Sequence, residues 1–363
     1  MKLTLPRKET LEAVKACLSV IGSSSTLPIL SCLKLEAVDG HVTLTSSNLD
    51  RWMQCRVPAE ITKPGTICLS AKLLLGILAG GADPTIEVDP KLKVKVTSGG
   101  YSFRFPGLKA DEFPEIPSMV GTALSVIEIS NDDWLSSSRA VAWAASTDSA
   151  TRLPITGTLI SAGEDFHVVA TDGRCLSQVT VTESKGFERE IIVPTSTMSA
   201  IDLLADADGN LVLRTNGSLL SASCGDRYLV SKLVEATFPN YRQVIPDVPA
   251  DATRLTVRVD ALIDALKRVQ IITTAQTPSV VLSVDEAGIH LSSRGADDSG
   301  ATAMVEATVK GGDKKIQLNP AMLLSPLTRW GADEVDLAII SEMSPVVMTY
   351  KSFLFVQMPM RLQ

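Results

Sequence analysis

The sequence predicts an α+β protein built from three tandem copies of one helix-and-sheet unit, and three observations carry that prediction. Amphipathic segments recur near the start of each third of the chain. A second set of apolar segments recurs in each later half. A Phe-Pro turn, Phe113-Pro114, returns at Phe238-Pro239 with the same spacing.

The first helices are expected over residues 9–21 (ETLEAVKACLSVI), 132–146 (DDWLSSSRAVAWAAS) and 259–271 (VDALIDALKRVQI), where apolar side chains fall at helical intervals. Leu27-Pro28-Ile29 and Leu153-Pro154-Ile155, 126 residues apart, are read as the start of a strand region, with Val280-Val281-Leu282 in the third copy. The second helices begin at Ala71, Thr197 and Ala321. Taking Leu73, Met198 and Met322 as equivalents gives offsets of 125 and 124 residues. Strand-like alternation follows each of them, at Thr85-Ile86-Glu87-Val88, Leu211-Val212-Leu213 and Val335-Asp336-Leu337. The expected domains are 1–122, 123–250 and 251–363. Their joins lie near residues 120–126 and 246–253, too short to act as flexible tethers.

The 363 residues are 45% hydrophobic and 21% charged, enough for several separately cored domains. No stretch reaches the roughly 18 apolar residues of a membrane helix. The opening residues carry charge and lack the apolar stretch of a secretory signal, so the expectation is a cytoplasmic protein that does not engage a membrane. Cys17, Cys32, Cys55, Cys68, Cys175 and Cys224 have no paired spacing and read as free packing thiols. A net charge of −7 argues against a general basic coat for nucleic acid. Any contact with DNA then needs a local basic zone.

Four strings, in order along the whole chain, resemble one family: Thr26-Leu27-Pro28-Ile29-Leu30, Ala170-Thr171-Asp172-Gly173-Arg174, the run from Ser231 to Arg242 (SKLVEATFPNYR), and Met358-Pro359-Met360-Arg361-Leu362. The family is the bacterial β sliding clamp of DNA polymerase III. The resemblance implies a head-to-tail homodimeric ring of six pseudo-equivalent domains around duplex DNA, bound without sequence specificity, with helices lining the hole. It implies partners as well, a DNA polymerase and a clamp loader, docked through short Leu- and Phe-containing peptides. An acidic exterior with a few inward cations would hold phosphates loosely enough to slide.

The helix reading offers Lys8, Lys15, Lys72, Arg139, Lys267, Arg268 and Arg329 as DNA-facing cations. Ser24, Thr195 and Ser196 stand where family members often carry basic residues, which implies a weaker grip. The resemblance also implies a peptide pocket at Arg152, Ile155, Thr171, Gly173, Arg174, Leu176, Pro239, Val244, Val346, Met358, Pro359, Met360, Arg361 and Leu362. An apolar groove with flexible Met walls can repack around different anchors. Pro154, Cys175 and Gln243 depart from the common pattern there and could alter peptide preference. For the dimer seam the resemblance points to Lys72, Phe103 and Phe105 at one end, facing Ile271 and Ile272 at the other. An aromatic edge strand left unpaired would invite aggregation, and ring closure would cover it.

No catalytic residue, metal site or cofactor is expected. His41, His167 and His290 fall on corresponding strand regions of the three copies, as repetition requires, and do not converge as ligands. Gly80-Gly81 and Gly99-Gly100 lack a phosphate-loop pattern. Asp132-Asp133 opens a helix, where acids complement free N–H groups. The leading expectation is a processivity clamp. Two alternatives are a divergent clamp paralogue, from a mobile element or resistance locus, that binds clamp partners or an inhibitor but loads poorly on DNA, and a metal-dependent hydrolase using Asp297 and Asp298.

Overall fold

The computed structural model describes residues 1–22, 27–119, 125–148, 150, 152–161, 163, 166–181, 187–207, 209–274, 278–295 and 299–361. Ser24, Asp297, Asp298 and Leu362 lie outside them. The chain forms two compact units, Met1–Trp134 with Ser196–Leu233, and Leu135–Thr195 with Val234–Gln363.

Among the described residues six α-helices recur in pairs: α1 Arg7–Leu18, α2 Ala71–Leu78, α3 Asn131–Val141, α4 Thr195–Leu204, α5 Val259–Val269 and α6 Pro320–Leu327. Each buries one stripe, as in α5, where Val259, Leu262, Ala265, Leu266 and Val269 face inward. The first helices are shorter than their periodicity suggests. After α3 and α5 the chain tightens into 3-10 turns at Ala142–Ala144 and Gln270–Ile272, leaving Ile271 outside the buried stripe. The acids opening α3 act as expected of a helix start. Ser130 Oγ accepts from the Asp133 N–H at 3.1 Å and donates to the Asp133 carboxylate at 2.6 Å, a reciprocal cap.

One expectation is corrected. The segments at Leu27 and Leu153 do not begin strands. Pro28–Ser31 and Leu153–Ile155 are single 3-10 turns, and the strands start later, at Cys32 and Gly157. Proline fixes φ and brings no N–H to a ladder, which suits the first position of a turn. The third copy has no proline there, and its strand does start at Val280.

In the first unit a five-stranded sheet runs in the order Glu60–Lys63, Lys2–Thr4, Thr85–Val88, Lys93–Ser98, Tyr101–Pro106. An eight-stranded sheet joins the first copy to the second. Its seam is Arg227–Lys232, the last strand of the second copy, antiparallel to Arg51–Pro58, with Val230 opposite Trp52. In the second unit a twelve-stranded sheet joins the second copy to the third in the same manner. Phe353–Gln357, the last strand of the third copy, pairs with Cys175–Val181, and Phe355 lies opposite Ser177. Each seam thus sets the last strand of one copy against the fourth strand of the copy before it.

That rule leaves two edges without a partner among the described residues. Tyr101–Pro106 is the last strand of the first copy and pairs only with Lys93–Ser98. The equivalent of the fourth strand in the third copy is the first half of the long strand Gly300–Lys310. Residues Gly300–Glu306 pair on one side with Gly288–Arg294, whereas pairing with Thr253–Arg258 begins only at Ala307.

Candidate functional site

In the second unit an apolar cluster of Ile155, Leu159, Val169, Leu176, Ile192, Phe238, Tyr241 and Val356 is drawn from four distant stretches of chain. The sheet seam aligns two of them, since Leu176 pairs with Val356 and paired residues share a face. Ile155 reaches the cluster from its 3-10 turn, and Phe238 meets Tyr241 edge to face at 6.4 Å. Burial pushes the Tyr241 phenol above its ordinary pKa, so it stays neutral. Arg242 stacks its guanidinium over the same ring at 4.8 Å. Val234, Ile245 and Leu354 pack against this buried floor, and Leu153, Val244 and Met358, each close to half exposed, lie within two or three residues of Ile155, Tyr241 and Val356 in the chain. A dry floor bordered by wet apolar groups suits an apolar anchor from a partner.

The rim is held by backbone bonds. Asp172 Oδ1 accepts from the N–H groups of Arg174 and Cys175, each at 2.8 Å, and Gly173 occupies φ +84° between them. A Cβ on Gly173 would sit 3.2 Å from Arg152 Nη1, which itself donates to the Asp172 carbonyl at 2.8 Å. Glycine suits this position for its left-handed φ, and any side chain would make the guanidinium give by a few tenths of an ångström. The chain terminus is tied at two points. Met358 N–H donates to the Arg174 carbonyl at 2.9 Å, and Met360 N–H to the Gln317 carbonyl at 2.8 Å. Pro359 and Met360 are half-buried, while Pro239 and Arg361 are exposed.

Of the residues expected at the pocket, Ile155 and Leu176 share the floor, while Arg152, Thr171, Gly173, Arg174 and Met358 are linked around its rim. Val346 is placed otherwise. It is fully buried and pairs with Gln357, on the face of the sheet opposite Leu176 and Val356. Sequence reasoning missed Phe238, Tyr241 and Val356. The first two lie in the FPNY motif itself, and Val356 continues the alternation of Met358 and Met360. Burial and the Asp172 carboxylate raise the Cys175 thiol well above its ordinary pKa, so it offers no thiolate.

Lys8 and Lys15 are exposed on α1, Lys72 on α2, Arg139 on α3, and Lys267 and Arg268 on α5. Two of the expected cations are engaged within the chain. Arg268 is paired with Asp264 at 3.0 Å, and Arg329 lies over the Trp143 ring at 5.6 Å while donating to the Ser325 carbonyl. Thr195 Oγ1 donates to the Thr156 carbonyl, and the Ser196 carbonyl accepts from Arg51 Nη1 at 2.8 Å. Arg51 is a cation at that position that the helix reading missed.

At the open edge of the first unit, Tyr101 and Phe103 are 71% and 37% exposed, and their rings stack at 6.5 Å. With Phe105 they share the face of Val94 and Val96, both buried. In the second unit Ile271 is 77% exposed at the end of α5. Ser293 ties that end to the sheet by donating to the Val269 carbonyl, and it pairs with Ala301 on the open strand. Among the described residues no group of three or more His, Cys, Asp or Glu side chains could hold a metal ion, and no helix is long and apolar enough to cross a membrane. His41, His167 and His290 lie on the strands His41–Ser47, Phe166–Thr171 and Gly288–Arg294, the same strand of each copy.

Three repeated domains whose sheets join edge to edge, with an apolar cluster beside one seam, define a scaffold of the sliding-clamp class. The fold is that of a sliding clamp from Bartonella birtlesii, solved bound to griselimycin, with a TM-score of 0.92 at 25% identity over the whole of both chains. The Caulobacter crescentus sliding clamp gives 0.88 at 26%, again over the whole of both chains. The beta sliding clamp of Escherichia coli K12 is 26% identical over 372 aligned positions, covering all of both sequences. Sequence profiles for the N-terminal, central and C-terminal domains of the DNA polymerase III beta subunit match residues 1–117, 129–240 and 242–361. The chain belongs to that family, the bacterial β sliding clamps.

Proposed function

We propose that two copies of this chain close head to tail into a ring of six domains around duplex DNA, and that the ring tethers a polymerase and a clamp loader without catalysing a reaction itself. The observation that carries this reading is the pairing rule of the sheets. Two of three last strands already join the copy before them, and the third, Tyr101–Pro106, is open, as is the one fourth strand that it would need. Extending the register of the two internal seams sets Phe103 opposite Ala301 and Tyr101 opposite Ala303 of a second copy. Small residues there leave room for the rings, and Ile271 and Ile272, which follow the Val269 carbonyl held by Ser293 beside Ala301, would cover Phe103 and Phe105. A closed ring abolishes both edges at once.

The cations of α1, α2, α3 and α5 would face the hole, with Arg51 added to the expected set. Intramolecular engagement of Arg268 and Arg329 supports a light grip on phosphates, in keeping with sliding. Partner peptides would insert Leu and Phe anchors over Ile155, Leu176, Tyr241 and Val356, flanked by Val244, Met358 and Met360. Incubation with a clamp loader, ATP and nicked circular DNA should leave the protein retained on the circle and released on linearisation. A protein that dimerises yet is never retained would instead be the non-loading paralogue.

A further inference from the structure

The solvent-exposed face of the third copy's sheet carries a second, polar site. Across four neighbouring strands the registers place Lys310, Arg254, Ala338 and Val347 in one row, and Thr308, Thr256, Asp336 and Thr349 in the next. The small Ala338 and the buried Val347 make a depression in the sheet, roofed by Val248, and the resulting cavity is about 330 Å³. Arg254 Nη2 holds the roof by donating to the Val248 carbonyl at 3.2 Å. Lys310 lies directly opposite Arg254 on the adjacent strand, and among the described residues no carboxylate pairs with either. Like charges so placed repel, and that repulsion is relieved by an anion bound between them.

Asp336 determines what kind of anion fits. Its carboxylate lies one row away, about 7 Å along the strand direction, and accepts from Thr256 Oγ1 at 2.6 Å with lone pairs to spare. It would repel a second anionic end and accept from a hydroxyl. We infer that this cavity binds a small phosphate ester of a polyol, of pentose-phosphate size, with its phosphate between Arg254 and Lys310 and a sugar hydroxyl on Asp336. Two cations favour a dianionic phosphate over a single carboxylate, and the Thr308 and Thr349 hydroxyls complete a polar wall.

Calorimetric titration of the full chain with ribose 5-phosphate, inorganic phosphate and ribose tests the site. Ribose 5-phosphate should bind at least about tenfold tighter than either fragment, a margin of about 1.4 kcal/mol. Lys310→Gln, at an exposed side chain with no hydrogen bond to lose, should weaken it by about tenfold, as expected for one charged contact. Asp336→Asn should abolish the preference for ribose 5-phosphate over inorganic phosphate while leaving phosphate bound. Absence of binding at millimolar ligand, equal affinity for ribose 5-phosphate and phosphate, or unchanged affinity in Lys310→Gln would each overturn the assignment. Arg254→Gln should weaken ribose 5-phosphate binding by about tenfold as well, and unchanged affinity in that variant, with an unchanged dichroism spectrum, would equally overturn the assignment.

Discussion

The backbone N–H of Met358 donates to the carbonyl of Arg174 at 2.9 Å, so the last described residues of the chain are fastened to the rim of a site whose floor was laid down some 180 positions earlier. The bond continues the ladder that pairs Cys175 with Gln357. It holds Met358 against the loop of Asp172 to Cys175, where the proposed peptide pocket would gain a wall.

Removal of residues 358–363 should therefore abolish binding of a short Leu-Phe peptide, measured by fluorescence anisotropy, while the proposed dimer still forms in sedimentation. Peptide affinity within about twofold of the intact chain would place the pocket elsewhere, because a lost apolar wall should cost at least about 1–2 kcal/mol.

Phe103→Asp puts a charge at the open edge of the first copy, and Ile271→Asp puts one at the end of α5. Either should raise the dimer dissociation constant by at least about a hundredfold, the effect of losing a central interface anchor. Analytical ultracentrifugation at low micromolar concentration reads this directly. A dimer that persists in both variants rules out the seam between Tyr101–Pro106 and Gly300–Glu306.

Trp134 is fully buried at the start of α3, and its Nε1 donates to Asp202 Oδ1 on α4 at 2.9 Å. Trp134→Phe keeps a ring in place but withdraws the donor. It should lower unfolding stability by about 1–3 kcal/mol in urea, the cost of a lost buried hydrogen bond to a charged group. A loss nearer zero would show that water replaces the indole.

Gly157 opens a fully buried strand, where a Cβ would stand 2.7 Å from both Ile192 Cγ2 and the Val193 carbonyl oxygen. Gly157→Ala must push the neighbouring strand aside, beside the floor formed by Ile155 and Ile192. We expect a destabilisation of about 1–3 kcal/mol by overpacking, together with weaker peptide binding, both measured on the same preparation.

Cys68 packs with Cys32 and Phe113, and burial, with Cys32 adding to it, pushes its thiol up to about 12 from an ordinary value of 9.0. The folded state therefore holds this proton more tightly than the unfolded chain does. The resulting stabilisation is complete below pH 9 and is lost as pH rises from there toward 12. Urea midpoints between pH 8 and 10.5 should fall with increasing pH, and Cys68→Ala should show a shallower fall. Equal slopes in the two proteins would mean that the thiol titrates alike folded and unfolded.

The repeat, the helix pairs and the strand that runs Thr85–Val88 were legible because each depends on neighbours in sequence: a 3.6-residue or two-residue period survives whatever packs against it. The proline turns at Pro28 and Leu153 were misread as strands because an apolar run with one proline satisfies both patterns until the partner strand is known. Tyr241 lies inside a family string, yet its place beside Leu176 could not be read there, and Val356 joins that cluster only through the seam between the second and third copies. Val346 shows the same limit, for one residue of register decides which face of a sheet a side chain takes.

The sequence by itself determined three copies of an α+β unit and the faces each helix would bury, because periodicity is a local property of the chain. Only the tertiary structure decided that each copy's last strand pairs with the copy before it, that Tyr101–Pro106 and Gly300–Glu306 are left open, and that Lys310 faces Arg254 across a cavity. Pairing of distant strands is set by backbone hydrogen bonds whose register no stretch of neighbouring residues encodes.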